Sequence, residues 1–261
     1  MKEFNLKNKN ILITGSNGLI GKNISEALSR YGANLILVDN VSKNLITNQA
    51  NKIIKKFNSE VIPIQLDITD EKKTKIVLRK FNKIDVLINL AAIDPKINKK
   101  NVYDFNNSSL KKSIDVNIIG TCLFTDFILK KMIKNKKGNI INVASTYSIV
   151  SPNMNLYKGT NTFQINKPIE YIISKSFIPN YSRYIATTYI KKGIRCNTVV
   201  PHAVIKNNKN KIFKTNFSKL SPIGRFCKPT ELNGLFVFLS SDSSSYMNGS
   251  TITIDGGWTA W

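Results

Sequence analysis

"NILITGSNGLIGKNISEAL", Asn10 to Leu28, reads as a buried strand, a tight turn and an amphipathic helix in immediate succession. The strand ends at Thr14, and Gly15, Gly18 and Gly21 follow with the spacing G-x-x-G-x-x-G. Glycine allows a tight turn and a close backbone approach, so a pyrophosphate can rest on the N-terminus of the helix that opens there. A glycine-rich turn alone is a weak signal, and a tight strand-to-helix turn without a ligand satisfies it as well. Its position on the first strand, opening a helix, is what points to a dinucleotide.

Outward from this unit the same alternation continues. Short apolar runs at "NLILVD", "VIPIQLD", "IDVLINLA", "GNIINVAS", "GIRCNTVV" and "STITID" are separated by segments of helical period near 19–31, 43–58, 70–81, 108–135, 168–191 and 229–240. Strands alternating with helices predict an α/β, three-layer, doubly wound fold with a parallel sheet of about seven strands. Such sheets bind ligands at the carboxyl ends of their strands. Segments 146–167 and 201–222 fit no element, follow strands and are expected to overhang that crevice. With 261 residues, 42% of them hydrophobic, and no repeat or linker, one domain spanning 1–261 is expected.

The net charge of +23 invites a nucleic-acid or membrane reading. Only five of the 39 basic residues are arginines, lysine is less suited to bidentate phosphate recognition, and the lysines are spread along the chain without a basic arm. Neither a nucleic acid nor a membrane is therefore expected as partner. Cys122, Cys196 and Cys227 are odd in number and lack metal spacing, so no disulfide framework and no metal site are indicated. No apolar run approaches the roughly 20 residues that cross a bilayer, and a cytoplasmic setting is expected.

The second strand ends in Asp39, eighteen residues after Gly21. A carboxylate there accepts both ribose hydroxyls and repels a 2′-phosphate, favouring NAD over NADP, although Lys43 nearby softens the preference. Asp67 and Asn89 end the next two strands and either face the same crevice or cap the turns that follow. In "YIISKSFIPNY", Tyr171 and Lys175 stand one helical turn apart. With nine tyrosines and 34 lysines among 261 residues, chance alone supplies about one such pair, so context must decide.

The context resembles the short-chain dehydrogenase/reductase family over nearly the whole chain. "TGSNGLIG", Asp67, "NLAA", "DVNIIGT" with Asn117, "INVAS" with Ser145, Tyr171–Lys175, "IRCNTVVPH" and "SPIGRFCKPTELNGLFVFLSSDSSSYMNGSTITIDGG" carry the likeness. It implies a Rossmann fold of the compact, single-domain branch and a secondary alcohol–carbonyl oxidoreductase. Hydride transfer to a carbonyl leaves an alkoxide that needs a proton. Tyr171 would be the acid/base, and lowering a phenol pKa by about three units takes roughly 4 kcal/mol, which Lys175 would help supply. Ser145 would hydrogen-bond the reacting oxygen. The resemblance gives Asn117 a water relay to Lys175, and gives Lys175 a grip on the nicotinamide ribose. It places cofactor contacts on Gly15, Asn17, Gly18, Ile20, Gly21 and Asp39, on Asp67, Ile68, Asn89 and Ala91, and on Tyr171, Lys175, Pro201 and Val204, the last clamping the carboxamide through its backbone. A homotetramer or homodimer through 108–135 and 168–191 is implied, with "DGGWTAW" reaching a neighbouring subunit.

Departures from the pattern leave alternatives open. The glycine spacing resembles the extended branch, which suggests a sugar-nucleotide epimerase or dehydratase, yet that branch's extra substrate domain is missing. A non-catalytic NAD-binding regulatory protein is the other alternative. Ser145 and Tyr171 are 26 residues apart, and the excess loop with "SPNMNLYKGT" is either a site for a sugar, polyol or sugar derivative or a lengthened surface loop. "PH" replaces Pro-Gly, so His202 either contacts substrate and titrates near neutrality or packs in a loop beside cofactor. Pro179 is expected to kink its helix just past the catalytic turn, whereas Pro168 sits near a first helical turn, where a missing N–H costs little.

Overall fold

The computed structural model describes residues 3–95, 106–160, 167–205 and 210–261. Seven parallel strands form one sheet in the order β3-β2-β1-β4-β5-β6-β7. They are β1 Asn10–Thr14, β2 Asn34–Asp39, β3 Val61–Gln65, β4 Val86–Asn89, β5 Gly138–Val143, β6 Ile194–Pro201 and β7 Thr251–Ile254. The apolar runs are continuous because both faces are covered. Ile11, Ile13, Leu35, Leu37 and Ile88 pack on one side with helices α1 (Leu19–Arg30), α2 (Lys43–Phe57) and α9 (Asn233–Ser240). Leu12, Ile36, Val38 and Leu87 pack on the other with α3 (Glu71–Leu78), α5 (Thr121–Lys134) and α7 (Ile178–Tyr189). Strand order reverses between β1 and β4, so the chain splits away on either side of a crevice at their carboxyl ends.

Two expected helices are each divided. The segment expected over 108–135 comprises α4 (Asn107–Ser113), a π-helical turn at Ile114–Gly120 and then α5. Such a bulge is unreadable in a hydrophobic period, and it turns Asn117 into the interior. The segment expected over 168–191 is α6 (Ile169–Ser176) followed by α7, with Pro179 in the first turn of the second helix. There its missing N–H costs little, so the chain starts a new helix instead of merely bending an old one. Pro168 is the N-cap of α6.

Segment 201–222 also differs from expectation, because Lys211–Leu220 forms helix α8. The Asn210 carboxamide accepts from the Phe213 N–H at 3.0 Å, an N-cap. Phe213, Phe217 and Leu220 give it an apolar stripe at helical spacing, which the surrounding Lys and Asn residues dilute. In 146–167, short 3₁₀ turns occupy Thr146–Ser148 and Met154–Tyr157. Residues 161–166 and 206–209 of these two segments lie outside the described residues. Among the described residues no helix is long and apolar enough to cross a membrane.

A polar network runs through the interior beneath the crevice. The Asn89 carboxamide donates to Thr125 Oγ1 and to Asn142 Oδ1, both at 2.8 Å. Asn142 in turn donates to Ser182 Oγ at 2.8 Å, which joins β4, β5, α5 and α7. Breaking such a network leaves buried donors unpaired. Asn142→Leu is expected to lower stability by about 2–3 kcal/mol, read from urea denaturation midpoints.

Candidate active site

Two adjoining cavities open at the carboxyl ends of the strands. The first, about 510 Å³, is bounded by the glycine turn and the ends of β2, β3 and β4. Gly15, Asn17, Gly18, Ile20, Gly21, Asp39, Asp67, Ile68, Ala91 and Val204 all line it. Gly15 has φ +67°, and a Cβ there would sit 2.7 Å from the Ala91 Cα. A Cβ on Gly21 would sit 2.4 Å from the Gly15 carbonyl oxygen. At both positions a side chain would collide with the chain's own backbone, so the turn stays this tight only with glycine, and the space beside the N-terminus of α1 fits a pyrophosphate held by backbone N–H groups.

Asp39 braces the turn from the end of β2. Its Oδ2 accepts from the Asn17 N–H at 2.8 Å and so pins the glycine turn to β2. The turn is braced again by Gln49, whose carboxamide donates to the Ser16 carbonyl and accepts from Asn17 Nδ2, each at 2.8 Å. Gln49 escaped the sequence reading because a lone buried glutamine on a helix leaves no motif. Asn89 is placed differently from expectation, since its side chain points into the interior network and lies on the wall of neither cavity.

The second cavity, about 640 Å³, is lined by Ser145, Tyr147, Tyr157, Lys167, Tyr171, Lys175, Pro201, His202 and Val204, with Leu156, Phe213 and Phe217 as an apolar side. It therefore brings Ser145, Tyr171 and Lys175 together. Burial pushes the Tyr171 phenol well above its ordinary range, Asp94 adds to that rise, and the nearby Ser145 hydroxyl opposes it. Lys175 is 5% exposed, and its ammonium donates to the Val143 carbonyl at 2.9 Å. Burial lowers it to about 8, with Asp94 opposing and Lys167 assisting. Through its bond to Val143 the lysine ties α6 to the end of β5.

Asn117 is off the cavity wall and serves as a strut. Its Oδ1 accepts from the Ile93 N–H at 2.8 Å, and its Nδ2 donates to the Ile93 carbonyl at 3.0 Å and to Ser174 Oγ at 2.8 Å. It thereby fastens the loop after β4 to α6, the helix carrying Tyr171 and Lys175. Val204 lies on both cavities, fixed by a parallel bridge to Cys227.

His202 is buried, with Nδ1 and Thr146 Oγ1 2.6 Å apart and its ring stacked on Trp258 at 4.4 Å between centroids. Burial lowers its pKa from 6.5 to about 4, with Asp255 opposing, so it is neutral at neutral pH. Trp258 packs with Leu156, Tyr157 and Phe217, while Trp261 is exposed. The three cysteines are free thiols.

The family model described as enoyl-(acyl carrier protein) reductase matches residues 16–259. The chain belongs to the short-chain dehydrogenase/reductase family. It is an oxidoreductase of alcohol and carbonyl groups. It is 27% identical to an NAD-dependent glycerol dehydrogenase of Listeria innocua, covering 99% of this chain and 96% of that one. It is 28% identical to a 2-dehydro-3-deoxy-D-gluconate 5-dehydrogenase of Dickeya dadantii, covering 100% of this chain and 99% of that one. Among solved structures, a short-chain dehydrogenase of Leptospira borgpetersenii with bound NAD+ superposes with a TM-score of 0.83 at 29% identity, covering 98% of this chain and 94% of that one.

The depressed pKa of His202 makes stability depend on pH. The folded chain favours the neutral ring, so the unfolded chain binds the extra proton between pH 6.5 and about 4. Stability is therefore expected to fall as pH drops through this window, by up to about 3 kcal/mol. His202→Phe should flatten that part of the profile in urea titrations taken at a series of pH values.

Proposed function

We propose that this protein interconverts a secondary alcohol and a carbonyl on a sugar, polyol or sugar derivative, with NAD as cofactor and Tyr171 as acid/base. The observation that carries the reading is the convergence of Ser145, Tyr171 and Lys175 on one cavity that adjoins the glycine cradle. The relatives named for glycerol and for a deoxygluconate support the substrate class.

A nicotinamide dinucleotide would be held by the backbone at Gly15, Gly18 and Gly21 and by Asp39 at the ribose, and when bound it supplies or accepts the hydride. The chain's own residues manage the proton. Tyr171 gives it to the reacting oxygen or takes it away, Ser145 orients that oxygen by hydrogen bonding, and Lys175 keeps two protons free after donating one to Val143. Because burial raises the phenol, bringing it into range at neutral pH takes more than the roughly 4 kcal/mol estimated for a free tyrosine. Lys175 contributes by its charge from one helical turn away, and Asn117 holds α6 in place against Ile93.

One domain over 1–261 accommodates both cavities, with described residues of segments 146–167 and 201–222, such as Tyr157, Lys167, His202 and Phe213, on the substrate side. Ile119, Ile169, Ile173, Tyr184 and Ile190 are exposed apolar residues on the elements that would pair subunits, so a homotetramer or homodimer is part of the proposal and light scattering tests it.

Tyr171→Phe is expected to reduce oxidation and reduction by about 10³-fold or more while NADH titration shows unchanged cofactor binding. A variant that turned over at the wild-type rate would remove Tyr171 from the mechanism. The wild type is expected to favour NAD over NADP in kcat/KM, because a 2′-phosphate would face the Asp39 carboxylate. Asp39→Ser should narrow that ratio by tenfold or more, and an unchanged ratio would take Asp39 out of cofactor choice.

A further inference from the structure

The wall of the larger cavity holds a charge that the chemistry above leaves unused. Lys167 lies just before Pro168, the N-cap of α6, and so enters the wall from the lead-in to the helix that carries Tyr171 and Lys175. The Lys167 ammonium lies 4.2 Å from the centre of the Tyr171 ring, and its side chain is 16% exposed. Its stem is packed and its charge is held over the ring face, a placement that strengthens as water is excluded.

Asp94, the ion-pair partner of Lys167, is 55% exposed and lies where the two cavities meet. A pair with one half in solvent holds weakly. Asp94 is also the only carboxylate on this cavity's wall among the described residues, against the two ammonium groups of Lys167 and Lys175. The same wall carries the hydroxyls of Ser145, Tyr147, Tyr157 and Tyr171, with His202 and Asn210 as its other polar side chains. The surrounding chain carries a net charge of +23, which draws anions toward the opening.

We propose that Lys167 binds a carboxylate of the substrate in exchange for Asp94, so that the enzyme prefers short polyhydroxy acids to neutral polyols. A single ammonium with no arginine beside it suits a singly charged carboxylate rather than a phosphate dianion. With the ammonium this close to the ring of the residue that handles the proton, the acid group lies a few carbons from the oxidised alcohol. The hydroxyls of Ser145, Tyr147 and Tyr157 on the same wall suit the intervening hydroxyl groups. This assignment rests on the reading of Tyr171 as acid/base, but its test does not depend on turnover.

Gluconate and glucitol share a skeleton and differ in a carboxylate against a hydroxymethyl group. Calorimetric titration of the NADH-loaded protein, which cannot oxidise them, is expected to give gluconate at least tenfold tighter binding. Lys167→Met should abolish the difference, Lys167→Arg should retain most of it, and Asp94→Asn should tighten gluconate by removing its competitor. NADH affinity measured in each variant reports that the fold and the cleft survive. Glucitol binding as tightly as gluconate, no detectable gluconate binding, or undiminished gluconate binding by NADH-competent Lys167→Met would each overturn the assignment. If gluconate binds through Lys167 yet neither compound is oxidised with NAD, the proposed reaction fails and the carboxylate site stands.

Discussion

The backbones after β1 and β4 meet so closely that only hydrogen fits at Gly15, where a Cβ would lie 2.7 Å from the Ala91 Cα. The Thr14 hydroxyl accepts from the N–H groups of Leu90 and Ala91 at 3.1 and 3.2 Å, which locks the two strand ends side by side. Around this junction Asp39 holds Asn17 and Gln49 holds Ser16. The turn is thereby fixed from β2, α2 and β4 at once, and its shape does not await a ligand.

The second cavity is organised by a different compromise. Bringing Lys175 and Tyr171 out of water makes each less willing to carry charge, as their pKa shifts record. The amine has a fixed partner in the Val143 carbonyl, and the Ser145 hydroxyl near the phenol opposes part of its rise. Preorganised dipoles in a dry site interact more strongly than the same groups in water. The cost falls on stability and is spread through the buried network below, which joins Asn89, Thr125, Asn142 and Ser182.

Strand content and the parallel, doubly wound class were legible because the apolar runs are short, continuous and separated by helical periods, and the first two strands agree residue for residue. The glycine turn and Asp39 were legible because each has a backbone or charge requirement that few residues meet. What stayed hidden were features that depend on partners distant in sequence. Gln49, Asp94 and Trp258 acquire their roles only once the chain has closed around them. The π turn at Ile114–Gly120 leaves the apolar pattern almost unchanged while rotating Asn117 by one position. Asn89 stands at a motif position, but the network of Thr125 and Asn142 claims its side chain.

Trp258 follows β7 in the chain and yet forms a common stack with His202 and Phe217, two residues of the larger cavity's wall. The wall of the larger cavity is thus backed by a residue translated after every strand of the sheet. A nascent chain can shape its glycine turn early in synthesis, but the ring behind this wall arrives only after β7.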